Sequence, residues 1–290
     1  MDKSQEELHG WMWTVIRICK PYLVARQEGG EFFQALGALN YISSESRRTP
    51  LHMAVLNNNE DLILTLIEEG ADVNARDDND FTPLHLATSG GNRITVQTLI
   101  EAGADVNSRD QDGMIPLYWA VKTNNENIVK TLIEAGAEVN SRNKYNNTPL
   151  HWAVEGNGET VHTLIEAGAD VNARDENGWT PLNCVASSPC MEIITQVLID
   201  AGADVNTRDK YGMTPLHFAV NYHNEISICA LIAAGADPTL VNDEGKTLED
   251  LTYSENLLSI VRDARIAQEQ KELQNSIPDP VPNSNSRRRM

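Results

Sequence analysis

The chain has 290 residues with 42 acidic and 23 basic side chains, a formal net charge of −19. Such an acidic protein repels phosphate, so we expect no direct binding to nucleic acid. No apolar run reaches the roughly eighteen residues that a membrane-spanning helix needs, so we expect no membrane insertion. The polar, acidic start is unlike a secretory signal, and four cysteines in this length do not indicate a disulfide framework. We therefore expect a cytoplasmic protein in a reducing interior.

Residues 1–43 lack a complete copy of the pattern that fills the rest of the chain. The apolar spacing from Glu6 to Val24 predicts a helix. Two interpretations stay open. The segment is a helical cap or degenerate repeat that seals the end of an array. Alternatively it docks elsewhere, because Trp11, Met12 and Trp13 in succession cannot all face one core.

Between residues 44 and 252 one phrase recurs at steps of 32 to 34 residues. Its full form is Thr-Pro-Leu-His. Its copies, with two variants and one degenerate copy among them, begin at Thr49, Thr82, Ile115, Thr148, Thr180, Thr214 and Thr247. A fixed period between about 20 and 50 residues predicts a fold of stacked repeats.

Each repeat predicts two short helices and a turn. Threonine at an N-cap followed by proline starts a helix, because the hydroxyl satisfies an orphan amide and proline has no amide hydrogen. A second apolar stripe, from Ile128 to Ile133, predicts another helix, and Gly136 follows where a helix end favours positive φ. The run from Asp110 to Gly113 is typical of a tight turn. Neither helix can bury its stripe alone, so the repeats must stack.

This period and phrase resemble the ankyrin repeat family. The resemblance covers residues 44–252 and implies an all-α ankyrin-repeat solenoid of stacked helix-turn-helix units with β-turn fingers. It includes six near-complete repeats and the start of a degenerate seventh. Three units depart from the phrase: Ile115 and Tyr118 replace threonine and histidine in one, Asn183 replaces histidine in another, and the degenerate unit continues with Leu248-Glu249-Asp250 and lacks the proline. We expect weaker hydrogen bonding between helix start and finger in those units.

Two segments follow the array. Residues 253–273 predict a C-terminal capping helix, and residues 274–290, rich in Pro, Asn and Ser, predict a disordered tail that ends in Arg287–Arg289. The tail is either simply solvated or similar to the arginine-bearing C-terminal signals of bacterial type IV secretion. Short arrays with unusual ends are similar to many endosymbiont and pathogen proteins, so translocation into a host cell is the alternative to a cytoplasmic location.

The histidines of the phrase are the first candidates for chemistry; they are His52, His85, His151 and His217. Packed helices lie about 8–10 Å apart, whereas zinc needs nitrogens about 2 Å from one ion, so neighbouring repeats cannot share a metal through them. The resemblance implies that they join helix start to finger. A second group, Cys184, Cys190, His217 and His223, matches no zinc spacing. No nucleophile or phosphate-binding motif is present, so we expect no enzyme, no metal and no cofactor.

The resemblance implies that a partner docks on the concave side, at finger tips and the exposed side of the inner helices. Large apolar side chains at such tips favour binding, and Trp and Tyr dominate hot spots. The predicted protein-binding residues are Phe81, Met114, Tyr145, Glu155, Trp179, Ser187, Tyr211, Met213 and Tyr222. The alternative is that the large ones pack on the neighbouring finger. Trp119, Trp152 and Phe218 directly precede a helix alanine and are predicted to be core.

Two length changes locate the site further. The repeat that begins at Thr148 loses a residue in its turn at 155–158, and the next repeat gains one at 187–190. Length changes in such repeats map to one face. We therefore centre the predicted site between Tyr145 and Tyr222.

The function that follows is a non-catalytic, monomeric scaffold or adaptor for a protein partner. Residues 49–252 hold 31 acidic and 11 basic side chains, a balance of −20, which favours a basic partner. The alternative is a regulatory inhibitor, or a host-directed effector, that occludes a target enzyme. A scaffold binds two partners at once, whereas an inhibitor abolishes the activity of one.

Overall fold

A computed structural model describes residues 46–188 and 192–276. In that part of the chain it has thirteen α-helices, one 3₁₀ helix and no β-strand, so the predicted all-α class is confirmed. The chain divides into two compact units, unit 1 up to Glu176 and unit 2 from Asn177. The predicted N-terminal cap and most of the predicted tail lie outside the described residues.

Helices come in pairs, a first helix that opens with the repeated phrase and a second helix that follows a short turn. The pairs of unit 1 are α1 (Pro50–Leu56) and α2 (Glu60–Glu68), α3 (Pro83–Gly90) and α4 (Arg93–Glu101), α5 (Pro116–Lys122) and α6 (Glu126–Glu134), and α7 (Pro149–Ala153) and α8 (Gly158–Glu166). The pairs of unit 2 are α9 (Pro181–Ala186) and α10 (Glu192–Asp200), and α11 (Pro215–Asn221) and α12 (Glu225–Ala233). A 3₁₀ helix (Glu249–Leu251) and α13 (Glu255–Ser276) follow.

The first helices start as the phrase predicts, and the histidine completes the cap. In α1 the backbone N–H of Thr49 donates to Nδ1 of His52 at 3.1 Å. Because Nδ1 accepts, the imidazole proton is on Nε2, which donates to the carbonyl of Phe81 at 2.9 Å. His52 and, in the same way, His85 therefore tie their helix starts to the finger of the next repeat, as the resemblance implied, whereas Nε2 of His217 is buried without a hydrogen-bond partner.

The repeat with Ile115 and Tyr118 differs from the prediction. Ile115 has no side-chain oxygen, so the side-chain cap is lost. The bond to the finger is kept, because the buried Tyr118 hydroxyl lies 2.6 Å from the carbonyl oxygen of Asn147 and 2.7 Å from that of Ser141. Weaker finger bonding was the wrong expectation here, since the longer phenol reaches the same carbonyl position as an imidazole.

The repeat with Asn183 behaves as predicted. The backbone N–H of Thr180 donates to Oδ1 of Asn183 at 2.9 Å, so the cap survives. The Nδ2 group of Asn183 is buried without a hydrogen-bond partner. A buried donor without a partner is destabilising, typically by about 1–3 kcal/mol.

Replacing Asn183 by histidine is expected to raise the free energy of unfolding by about 1 kcal/mol. The imidazole restores the arrangement of His52, with Nδ1 on the cap and Nε2 directed at the next finger. The reciprocal variant His85→Asn serves as the control and should lose a similar amount, because His85 makes both bonds. Urea unfolding followed by circular dichroism measures both; equal stability of Asn183→His and the parent would contradict the prediction.

The second helices have their own start and stop residues. Several begin after an asparagine whose side chain accepts from the backbone N–H three residues on; these N-caps are Asn59, Asn92, Asn125, Asn157 and Asn224. Their ends lead into a glycine with positive φ, such as Gly136 at 90°, which confirms the predicted helix stop.

The core runs between the paired helices and from one repeat to the next. In unit 1 the leucines of the phrase are fully buried: Leu51, Leu84, Leu117 and Leu150. Each contacts the neighbouring layer because α3 packs on both α1 and α5, and α5 packs on α7. Burial is thus shared between consecutive repeats, the arrangement that makes a stacked array stable.

Arginines link the fingers of unit 1 at the level just before the tips. The guanidinium of Arg76 donates to the carbonyl of Arg109 at 2.7 Å, and Arg109 donates to the carbonyl of Arg142 at 2.8 Å. Arg142 continues the series to Arg174 at 2.7 Å. Unit 2 repeats the contact from Arg208 to Val241. These bonds hold each finger against the next.

The shortened turn after α7 depends on a glycine. A side chain at Gly156 would overlap Asn124 of the preceding repeat. Asn124 in turn accepts from the backbone N–H of Asn157 at 3.2 Å, so it cannot simply move away. The extra residue predicted at 187–190 falls partly outside the described residues, which stop at Ser188 and resume at Glu192.

Helix α13 begins against the 3₁₀ helix of unit 2 and then extends into solvent. Leu257 and Val261 are buried, whereas most side chains after Val261 are exposed. None of the described helices is long and apolar enough to cross a membrane.

Candidate functional site

Five finger tips are each organised by one buried acidic or amide side chain. These side chains are Asp77, Asp110, Asn143, Asp209 and Asn242. The Oδ1 of Asn143 accepts from the backbone N–H of Tyr145 and from that of Asn147, both at 3.0 Å. This bonding folds the turn around a fixed centre and directs the residue at the apex outwards.

Two tyrosines occupy such apices, Tyr145 in unit 1 and Tyr211 in unit 2, and we call them the tip tyrosines. Their side chains are 51% and 60% exposed. The carbonyl of Tyr145 accepts from the backbone N–H of Glu176 at 3.0 Å, and that of Tyr211 accepts from Asp243 at the same distance. The backbone is therefore held on both sides while the phenol is free to contact another molecule.

Unit 1 also contains an aromatic cluster formed by Phe81, Trp119, Trp152 and the ammonium of Lys122. The rings of Phe81 and Trp119 meet edge to face with centroids 5.3 Å apart. The Lys122 nitrogen lies 5.1 Å from the Trp119 centroid and 5.7 Å from that of Trp152. All three rings are half-buried, so the cluster is part of the surface.

Sequence reasoning missed this cluster, because it assigned Trp119 and Trp152 to the core. The same position holds Leu86, which is buried in its repeat, and Phe218, which is buried as predicted. Leucine and phenylalanine are small enough to be buried at this position, whereas the larger indole stays partly exposed. The signal that could have found the cluster is the recurrence of tryptophan in two consecutive repeats beside a lysine.

The remaining predicted residues of unit 1 have different surroundings. Phe81 stacks on His85 with centroids 5.6 Å apart, and Met114 is buried. Glu155 is exposed. Phe81 and Met114 thus pack on neighbouring groups, as the alternative interpretation expected, and Tyr145 and Glu155 are accessible.

In unit 2 the predicted residues again divide into packed and accessible ones. Trp179 meets Phe218 edge to face at 4.6 Å, and its Nε1 donates to Asp209 at 3.2 Å. Met213 and Ser187 are half-buried. Tyr211 and Tyr222 are exposed, and the Lys210 ammonium lies 5.1 Å above the Tyr211 ring. Among the predicted residues of this unit, the accessible aromatic side chains are therefore Tyr211 and Tyr222.

The titratable groups beside these surfaces serve the fold. Burial lowers the pKa of His52 and of His85 below the ordinary value. It lowers the pKa of His217 to about 4 and raises the pKa of Tyr118 to about 12. All four side chains are thus neutral at neutral pH, where they act as hydrogen-bonding groups of the repeat.

The sequence-level ligand candidates do not come together as a site. His217 contacts Thr214 at its helix start, and His223 lies 3.4 Å from the hydroxyl of Thr252. Cys190 lies outside the described residues. Among the described residues no group of three His, Cys, Asp or Glu side chains is placed to hold a metal ion. The described residues instead form a surface on which another molecule can bind.

Comparisons with known proteins agree with this geometry. The family model for ankyrin repeats in three copies matches residues 22–110, 84–175 and 156–242, which is more than half of the chain. The crystal structure of the ankyrin repeat domain of Bcl-3, a unique member of the IkappaB protein family, is similar with a TM-score of 0.66. That chain is 29% identical, and the match covers 74% of this chain and 98% of that one. No curated protein matches the sequence.

These matches indicate a protein–protein interaction domain, and such repeats are typically non-catalytic. The match begins at residue 22, inside the segment that was expected to be a cap or degenerate repeat. Period, phrase, paired helices and family model all agree, and the chain belongs to the ankyrin repeat family.

Proposed function

We propose that the chain is a non-catalytic adaptor that holds a protein partner through the finger tips and the adjoining ends of the first helices. The observation that carries the proposal is the pair of tip tyrosines. Both phenols are more than half exposed on turns whose backbone is hydrogen-bonded to neighbouring fingers. Large aromatic side chains on a rigid support lose little conformational freedom on binding, and Tyr and Trp dominate hot spots.

Other residues of the predicted site complete this surface in each unit. In unit 1 the aromatic cluster adds apolar area around Lys122, and Glu155 adds a charge. In unit 2, Tyr222 adds a third exposed phenol, and Trp179, Met213 and Ser187 support the accessible groups. Phe81 and Met114 play the same supporting part in unit 1.

The negative net charge of the array favours a basic partner. Residues 49–252 have a balance of −20, from 31 acidic and 11 basic side chains, so a basic protein is attracted over a longer range than a neutral one. We also infer that the chain acts as a monomer in the cytoplasm, where its cysteines stay reduced. A regulatory inhibitor is the second candidate. It uses the same tyrosines, and abolishes one partner's activity at equimolar ratio.

Replacing Tyr145, Tyr211 and Tyr222 together by alanine is expected to weaken partner binding by about a hundredfold or more, because each hot-spot side chain contributes about 1–2 kcal/mol. Trp179 is left in place, since its removal would also disturb Phe218. Affinity capture from lysate with quantitative mass spectrometry compares the variant with the intact chain.

The matched control is Tyr253→Ala, which removes an almost fully exposed tyrosine outside the predicted site. Circular dichroism checks that both variants fold. A partner lost by the triple variant and kept by the control supports the proposal. Equal capture by all three proteins would place the function elsewhere in the chain.

A further inference from the structure

A second surface lies on the other helices of unit 2. A groove of about 960 Å³ runs between α10 and α12, the second helices of two successive repeats. Its apolar lining is Ile193, Val197, Ile226, Cys229 and Ala230. None of these residues belongs to the finger tips or to the first helices, so the groove is separate from the surface proposed above.

The apolar side chains of this groove are accessible. Ile193 is 74% exposed and Ile226 is 43% exposed, and the Cys229 thiol is exposed as well. From Ile228 onwards helix α12 is apolar on all sides, in the sequence Glu-Ile-Ser-Ile-Cys-Ala-Leu-Ile-Ala. A helix of that kind is normally covered on every side, whereas a surface helix keeps a polar face.

Comparison with the same positions in unit 1 shows that the repeat does not require these residues. Where α10 and α12 have Ile193 and Ile226, α6 and α8 have Asn127 and Glu159. The positions of Val197, Cys229 and Ala230 are polar there too; they hold Thr131, His162 and Thr163. Helix packing therefore tolerates polar side chains at these positions, and the apolar set in unit 2 needs another reason.

The rim of the groove carries negative charge. Glu192, Asp200 and Glu225 line it and are exposed, and no Lys or Arg is among the residues that line it. Glu225 accepts a hydrogen bond from Asn256 at 3.1 Å, a neutral contact that leaves its charge uncompensated. An occupant of this groove must therefore combine an apolar stripe with flanking positive charge.

We propose that this groove docks an amphipathic helix of a partner protein, with Lys or Arg on both sides of its apolar stripe. Two adjacent helices present a trough into which the side chains of a third helix pack. The nine residues of α10 and of α12 extend over about 13 Å, which accommodates two to three turns of the incoming helix. Its cations meet Glu192, Asp200 and Glu225.

This inference goes beyond the proposed function, because it gives the chain a second docking surface on different helices. With the tip tyrosines occupied by one protein, the groove remains available to another. That is the valency of a scaffold, which holds two partners at once. The two surfaces can be tested separately, since none of the three tyrosines is among the residues that line the groove.

The probe is a synthetic eighteen-residue helical peptide with a leucine stripe flanked by lysines, a length of about five turns. Fluorescence anisotropy measures its binding to the full chain, and peptide mapping by mass spectrometry measures alkylation of Cys229. We expect binding that weakens with salt and that slows alkylation of Cys229 several-fold. A peptide with glutamates in place of the lysines should bind at least tenfold more weakly.

The double variant Ile193→Asn, Ile226→Asn should lose at least tenfold in affinity for the lysine peptide. The matched control is Ile94→Asn, at the same helix position in α4, where an isoleucine is exposed outside the groove. Affinity that is equal for the double variant and the control, or no protection of Cys229, overturns the proposal.

Two further outcomes also overturn it in favour of another occupant. A concentration-dependent dimer in sedimentation that disappears in the double variant would assign the groove to a second copy of the chain. Faster alkylation of Cys229 after removal of residues 277–290 would assign it to the chain's own arginine-ended tail. A monomer with unchanged alkylation supports the external helix.

Discussion

Replacing Leu117 by alanine should lower the free energy of unfolding by about 3 kcal/mol, within the usual range of roughly 2–5 kcal/mol for a fully buried leucine. Leu117 is completely buried in α5, which packs on the first helices before and after it. A cavity at this position weakens two repeat interfaces together, because each repeat is held by its neighbours. Urea unfolding of the full chain measures the change.

Leu64→Ala is the control for this prediction. It removes the same atoms from α2, where the leucine is 48% exposed, so the loss should stay below about 1 kcal/mol. Equal losses at the two positions would mean that burial in α5 does not determine stability. The midpoint and the slope of the unfolding curve should be compared, since a changed slope would indicate partial unfolding of the array.

Acidification below neutral pH is expected to destabilise the fold before the bulk of the carboxylates titrate. Burial lowers the pKa of His52, His85 and His217, the last to about 4, from the ordinary value of 6.5. The unfolded chain therefore binds protons that the folded chain does not. Stability is complete above about pH 6.5 and falls as the pH decreases towards 4, by roughly 2–3 kcal/mol for His217 alone.

Urea unfolding at a series of pH values tests this dependence. His217→Asn is the informative variant, because Asn183 shows that asparagine can occupy the same position of a repeat and still form the cap. The variant should lose less stability than the parent between pH 6.5 and pH 4. An unchanged pH dependence would exclude His217 as a main source of the effect.

Local features of this fold could be predicted from the sequence because they depend on few neighbouring residues. A threonine followed by proline starts α1 and α11 as expected, and Gly136 has the positive φ that was predicted. The cap by His52 could be anticipated from the resemblance, since its partners occupy constant positions in the repeat. Periodicity alone was enough to predict the stacking.

The candidate surface could be predicted only in part. Exposure of Tyr145 and Tyr211 follows from their place at a turn apex. The burial of Met114 and the packing of Trp179 on Phe218 depend on side chains in neighbouring repeats, which a local pattern does not show. The groove between α10 and α12 could not be predicted for a related reason, since an apolar stripe does not show which of its side chains a neighbouring repeat covers.

The sequence by itself determined the class of fold, the start and end of most helices, and the acidic character of the array, because these follow from local bonding and composition. Tertiary structure alone decided which large side chains remain accessible. Tyr118 and Trp119 are adjacent in α5, yet the phenol is fully buried against Ser141 and Asn147 while the indole is partly exposed beside Lys122. The physical reason is that exposure depends on what the next repeat places opposite each side chain, and only the stacked array brings those residues together.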